Sequence, residues 1–204
     1  MEGGRMIATT LNLSRADCKA LQLKDIYGLH KAVYSLFPPE KGKPRDFLFA
    51  DKGGNFYGRK VLILSRRHPT TPDFGKIDSK EVPESFLEFD HYGFEVILNP
   101  TRRDAETGKV IAVRGRENLL EWFAEKAPRF GFKVFPESLQ VNHTGVLTYN
   151  KNGSTRTHNT ATFVGKLKVI DRQTFTKSFE EGIGRAKGFG FGLLQIIPIN
   201  INAH

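Results

Sequence analysis

Two periods of apolar spacing take turns along this chain, and their order sets the expected architecture. Apolar alternation from Met6 to Leu13 has the two-residue period of a strand buried on one face. Ile26, Leu29, Val33 and Leu36 then recur at three- and four-residue spacing, which predicts an amphipathic helix over Ile26 to Phe37, with Asp25 as its N-cap and Pro38-Pro39 as its stop. Strand-like runs follow at Asp46 to Ala50 and Lys60 to Ser65. A stretch carrying Pro69, Pro72 and Pro83 has little helical signal, and Phe86 to Asp90 is a short candidate strand. The first round therefore reads strand, helix, strand, strand, weak helix, strand.

A second round opens with a strand over Tyr92 to Leu98, broken at Asn99-Pro100, and continues through a basic connection to Lys109–Val113. A helix over Glu117 to Arg129 would place Leu120, Phe123, Ala124 and Ala127 on one face, with Gly131 ending it. Strands at Lys133 to Phe135, Leu139 to Tyr149 and Ala161 to Ile170 follow, the last two joined by a turn at Asn150 to Ser154. A helix at Arg172 to Glu181, a glycine-rich segment and a strand from Leu193 to Ile199 close the round. Two such rounds imply an α+β chain of two tandem ferredoxin-like (RRM-like) βαββαβ domains, residues 1–90 and 91–204. Sequence self-similarity between the halves is not visible, so the duplication is architectural.

The glycine-rich segment, Gly182 to Gly192, sets five glycines among two cations and two phenylalanines. Glycine lets backbone approach a ligand closely, and Arg185 and Lys187 add charge suited to phosphate. Lys187-Gly188-Phe189-Gly190-Phe191 matches the first five positions of an RRM signature. That signature needs a helix and a further strand after it, however, and 12 residues remain after Gly192. Dinucleotide fingerprints and P-loops follow a strand and open a helix, whereas this segment follows a helix and opens a strand. It reads as a loop into a last strand, with at least one of Phe189 and Phe191 packed in the core.

Charge narrows the partner. Lysine and arginine outnumber acids 31 to 22, a net charge of +9, which suits a polyanion. Arg102, Arg103, Lys109, Arg114 and Arg116 crowd one connection, while Lys151, Arg156, Lys166, Lys168, Arg185 and Lys187 recur near the end. No apolar run has the length of a membrane span and no signal-peptide h-region follows Met1, so the expected setting is the cytoplasm with no membrane partner. One cysteine, Cys18, excludes an internal disulfide and a multi-cysteine zinc site. No HExxH or clustered ligand spacing occurs, so neither a metal nor a small-molecule cofactor is expected.

Beside the core stripe of the first helix, Tyr27, His30, Lys31 and Tyr34 share a second face. An imidazole that titrates near neutrality can move protons without a metal, as RNA cleavage by its own 2′-hydroxyl requires. His68, His91, His143, His158 and His204 stand in less telling contexts: a loop, the domain junction, two hairpin arms and the terminus.

Gly182 to Leu194, Tyr27-Gly28-Leu29-His30, and Asn99-Pro100-Thr101-Arg102-Arg103 with Thr107-Gly108-Lys109 together resemble the CRISPR-repeat endoribonucleases of the CasE type, over nearly the whole chain. The resemblance implies cleavage of a CRISPR precursor transcript at the 3′ base of each repeat hairpin. The enzyme would then stay on its product as a subunit of the Cascade complex, whose other subunits become partners. It further implies a metal-free reaction in which the 2′-hydroxyl attacks the adjacent phosphate, leaving a 2′,3′-cyclic phosphate and a 5′-hydroxyl. By position, His30 would be the acid or base, Tyr27 would position the reacting groups, and Lys31 could stabilise developing charge. Arg102, Arg103, Lys109, Lys151 and Arg156 would grip the RNA. Gly182, Gly184, Arg185, Lys187 and Gly188 would hold its backbone across a cleft from His30. A non-catalytic RNA-binding scaffold of the same fold, and a small-molecule enzyme with a phosphate-binding loop, are the competing readings.

Overall fold

A computed structural model of the chain describes residues 5–23, 25–151 and 154–200. Strand β1 (Ile7–Ser14) runs directly into a short helix α1 (Arg15–Ala20). Ser14 caps α1: its hydroxyl accepts from the Asp17 N–H while the Asp17 carboxylate accepts from the Ser14 N–H. This helix was not expected, because none of its residues is buried and its pattern shows no apolar period. Helix α2 (Ile26–Ser35) begins where the sequence places it, with the Asp25 carboxylate accepting from the Gly28 N–H at 2.9 Å. It buries Ile26, Leu29 and Val33, and Leu36 is buried just beyond it.

Strands β2 (Phe47–Asn55) and β3 (Gly58–Ser65) form a hairpin whose ladder continues into polar residues that hydrophobic spacing does not mark. Strand β4 (Lys76–Glu81) then pairs antiparallel with β1. Here the expectation is corrected: Ser65 runs to β4 without a second helix, and Phe86–Asp90 is not a strand, since a 3₁₀ turn spans Glu84–Leu87 after Pro83. The prolines suppress the helix. As an edge strand, β4 faces solvent and offers Ile77 as its one large apolar residue, too little for a visible alternation. The sheet order β2-β3-β1-β4, antiparallel throughout, is that of a ferredoxin-like unit.

Both faces of this first sheet are covered. Phe47, Phe49, Val61 and Ile63 pack with the α2 stripe. Leu48, Ala50 and Leu64 belong to the core of the second half. That two-sided burial is why Phe47 to Ala50 is a continuous apolar run rather than an alternating one.

The second half contains β5 (His91–Leu98), a separate hairpin of β6 (Thr101–Arg103) and β7 (Val110–Ala112), and helix α3 (Arg116–Lys126). It continues with β8 (Phe132–Val134), β9 (Gln140–Lys151), β10 (Ser154–Val169), α4 (Arg172–Glu181) and β11 (Gln195–Pro198). Its order is β11-β5-β10-β8, the second complete ferredoxin-like order. Long β10 pairs with β5 along one edge, and with β9 and then β8 along the other. The buried stripe of α3 is Leu119, Phe123 and Ala127, whereas Ala124 is exposed and Leu120 half-buried. Phe123 decides this rotation, because its ring is packed among Phe94, Phe132 and Phe163. Among the described residues, no helix is long and apolar enough to cross a membrane.

Candidate active site

Helix α2 faces two environments. Its Ile26, Leu29 and Val33 stripe enters the first core, which leaves Tyr27, His30, Lys31 and Tyr34 on the adjoining face. His30 Nδ1 lies 2.7 Å from the Gly188 carbonyl oxygen. A carbonyl can only accept, so Nδ1 carries a proton and the proton-exchanging lone pair of the neutral ring belongs to Nε2. The Tyr34, Phe189 and Tyr27 rings lie 3.9, 5.2 and 5.7 Å from the imidazole, centroid to centroid. Lys31 places its ammonium 4.6 Å over the Tyr27 ring, so its charge lies on the Tyr27 side of His30.

The Gly188 carbonyl is delivered by a loop closed at its neck. Ile183 N–H donates to the Gly192 carbonyl at 2.9 Å, and Gly192 N–H donates to the Ile97 carbonyl on β5 at 2.8 Å. At Gly192 φ is +84°, and a Cβ there would lie 2.2 Å from the Ile183 carbonyl oxygen, so no other residue fits. Ile183, Phe191, Leu193 and Leu194 are buried and anchor both ends, as the expected core role of one phenylalanine requires. Gly182 is also buried, against Leu48 of the first sheet. Between these anchors a 3₁₀ turn over Lys187–Phe189 brings Gly188 to α2. The loop does not face His30 across a cleft, as its sequence suggests; at this point it is bonded to it.

Behind the imidazole is a second layer that the sequence did not single out. The Phe189 ring lies 4.5 Å from Tyr149 and 5.5 Å from His158. Asn99 Nδ2 donates to His158 Nδ1 at 3.1 Å, so His158 Nε2–H donates to the Tyr149 hydroxyl at 3.2 Å. Burial pushes the His158 pKa below the ordinary histidine value of 6.5, which keeps this ring neutral. Tyr149 pairs with Arg156 and His158 with Leu147, so the two rings are diagonal neighbours across the long β9–β10 hairpin; their meeting depends on register, and single-chain spacing does not reveal it.

Arg45 also approaches the site. Its guanidinium donates to the Tyr34 hydroxyl at 3.3 Å, and a Cβ on Gly188 would lie 3.0 Å from the same group. Lys187 is half-buried and donates to the Glu181 carbonyl at 2.8 Å. Arg185 and Gly184 are exposed on the loop. Arg102, Arg103 and Lys109 are exposed on the β6–β7 hairpin, where Arg103 donates to the Gly108 carbonyl. The side chains of Lys151 and Arg156 lie outside the described residues. The fold thus brings Tyr27, His30, Lys31, Lys187 and Gly188 together.

A family model described as CRISPR associated protein matches residues 6–198. Among curated proteins, the chain is 26% identical over 186 residues to the CRISPR system Cascade subunit CasE of Escherichia coli (strain K12), covering 86% of this chain and 94% of the relative. The fold superposes on the CRISPR endoribonuclease Cse3 bound to 19 nt RNA with a TM-score of 0.83 at 22% identity, covering 96% of this chain and 100% of that one. It also superposes on the CRISPR-associated protein Cas6e from Escherichia coli K-12, with a TM-score of 0.72 at 23% identity over 95% and 100% of the two chains.

Proposed function

The chain belongs to the CRISPR-associated protein family, and we propose that it is a metal-independent endoribonuclease that processes CRISPR repeat RNA. It cuts within each repeat at the 3′ base of the hairpin and stays bound to the mature RNA as a cytoplasmic subunit of a Cascade complex. The E. coli relative is a Cascade subunit, and the similar Cse3 structure is that of an endoribonuclease holding RNA. The single observation that carries the catalytic reading is the bond between His30 Nδ1 and the Gly188 carbonyl.

In the proposed reaction the 2′-oxygen forms a bond to the neighbouring phosphorus while the bond from phosphorus to the 5′-oxygen breaks. One proton leaves the 2′-hydroxyl and one reaches the departing 5′-oxygen, giving a 2′,3′-cyclic phosphate and a 5′-hydroxyl end. Because Nδ1 is committed to Gly188, Nε2 of His30 makes one of these transfers, as base when neutral or as acid when protonated. Tyr27 orients the reacting groups beside it, and Lys31, over the Tyr27 ring, supplies positive potential. Arg102, Arg103 and Lys109 on the exposed hairpin, together with Lys151, Arg156, Arg185 and Lys187, grip the RNA backbone by charge. Gly182, Gly184 and Gly188 give the loop its path.

Single-turnover cleavage of the cognate repeat RNA tests this reading. Cutting should persist in EDTA and stop when the nucleotide before the cut is 2′-deoxy. Continued cutting of the deoxy substrate overturns the mechanism. Tight hairpin binding by a wild-type protein that never cuts would instead favour the scaffold reading.

A further inference from the structure

Five cations line a groove of about 710 Å³ between the end of α2, the β2 and β3 strands and the glycine loop. Three of them are neutralised: Lys43 by Glu40, Arg66 by Glu180 at 2.7 Å, and Arg67 by Asp46 at 2.7 Å. Arg45 and Lys187 differ, since neither has a carboxylate within ion-pair distance among the described residues. Arg45 is held by the Tyr34 hydroxyl and Lys187 by a backbone carbonyl, both neutral acceptors. Burial pulls the Lys187 pKa below its ordinary value; Glu181 opposes it, and Arg45 adds a smaller push in the same direction as burial. Two neighbouring cations that repel each other at the rim of a groove form a site completed by an anion.

Position identifies the anion. Tyr34, which holds Arg45, is four residues beyond His30 on the same helix, about 6 Å along the axis, and its ring contacts the imidazole. Lys187 directly precedes Gly188, the residue bonded to His30. We propose that Arg45, Lys187 and the Tyr34 hydroxyl form a second anion subsite that holds the RNA phosphate next to the scissile one. The cut strand then passes from His30 into the groove, held one nucleotide step from the reacting bond. A phosphodiester suits the pair: its two unesterified oxygens can accept from a guanidinium and an ammonium at once. This subsite deepens the reading of the chain as a repeat-RNA nuclease and rests on it.

The test replaces, in turn, each of the two phosphates flanking the cut with a neutral methylphosphonate, and measures hairpin binding across a KCl series together with single-turnover cleavage. One of the two substitutions should weaken binding by wild-type protein roughly 10-fold and lower the magnitude of the slope of log K against log salt by about 0.7. Arg45→Ala should produce the same loss on ordinary RNA, and no further loss on the sensitive methylphosphonate RNA. Arg45→Lys, which keeps the charge, should retain the salt slope. Losses from Arg45→Ala and from the methylphosphonate that simply add would overturn the subsite, as would wild-type binding unaffected by either substitution. The second criterion needs no variant, so it stands if Arg45→Ala does not fold. Binding is read separately from cutting: a wild-type protein that never cleaves would defeat the nuclease reading while these binding results still decide the subsite.

Discussion

The two halves of this molecule share a sheet order and divide the chemistry unequally. The first contributes side chains that ionise or donate, Tyr27, His30, Lys31, Tyr34 and Arg45, on a helix and the segment after it. The second contributes to the imidazole a backbone carbonyl and an aromatic wall, Gly188 with Phe189, Tyr149 and His158. A helix can aim side chains from one face, but its carbonyls are committed to its own ladder. A glycine loop has carbonyls to spare and can bring one close. The site lies where these capacities meet, so neither half by itself sets the tautomer of His30.

The strongest break in this comparison is His30→Ala. It should lower single-turnover cleavage by roughly 10²- to 10⁴-fold and leave hairpin affinity within about twofold. Equal losses of affinity and rate would mean that His30 binds RNA rather than moving its protons. Next comes Gly192→Ala, at the neck of the loop. A Cβ 2.2 Å from the Ile183 carbonyl, at φ +84°, must displace the neck. Thermal and urea melts should show about 2–3 kcal/mol of lost stability, and cleavage should fall even where the protein remains folded. A variant with normal cleavage would show that the loop path does not matter to the chemistry.

Phe189→Ala sharpens the division of labour, because this ring touches His30, Tyr149 and His158 together. A roughly 10- to 100-fold slower cleavage step with near-normal affinity is expected if the wall positions the imidazole. An unchanged rate would confine the second half to its carbonyl. The smallest effect is expected from pH. His158 has a depressed pKa in the folded protein, so the unfolded chain takes up a proton first as pH falls below about 6.5. The stability it contributes is present above that pH and is lost as pH falls through the lower, folded value. The melting temperature should therefore fall between pH 7.5 and pH 5.5, and less steeply in His158→Gln. The carboxylates held below their usual range by local hydrogen bonds, Asp17, Asp104 and Asp171, act at more acidic pH and leave this window to histidine.

Much of this was legible in the chain. The α2 stripe and its Asp25 cap, the limits of α4, and a glycine segment between helix and strand all follow from local rules of spacing and capping, and all are present. The same rules missed β4, whose residues face water, and rotated the α3 stripe by one position, where packing among three phenylalanines settles the angle. At the site, Tyr27, His30 and Tyr34 could be grouped because they share one helix. Arg45, Tyr149 and His158 could not, since 11 residues separate Arg45 from Tyr34 and 9 separate Tyr149 from His158.

The sequence alone determined the helices α2 and α4, the glycine loop between a helix and a strand, which residues can carry protons, and a net charge of +9 that suits a polyanion, because these depend on side-chain chemistry and near-neighbour spacing. Only the tertiary structure decided that His30 reaches a carbonyl 158 positions away through Nδ1, and that Arg45 and Lys187 come together with no carboxylate within ion-pair distance of either among the described residues. Such contacts arise from packing one half against the other, and no local period encodes them.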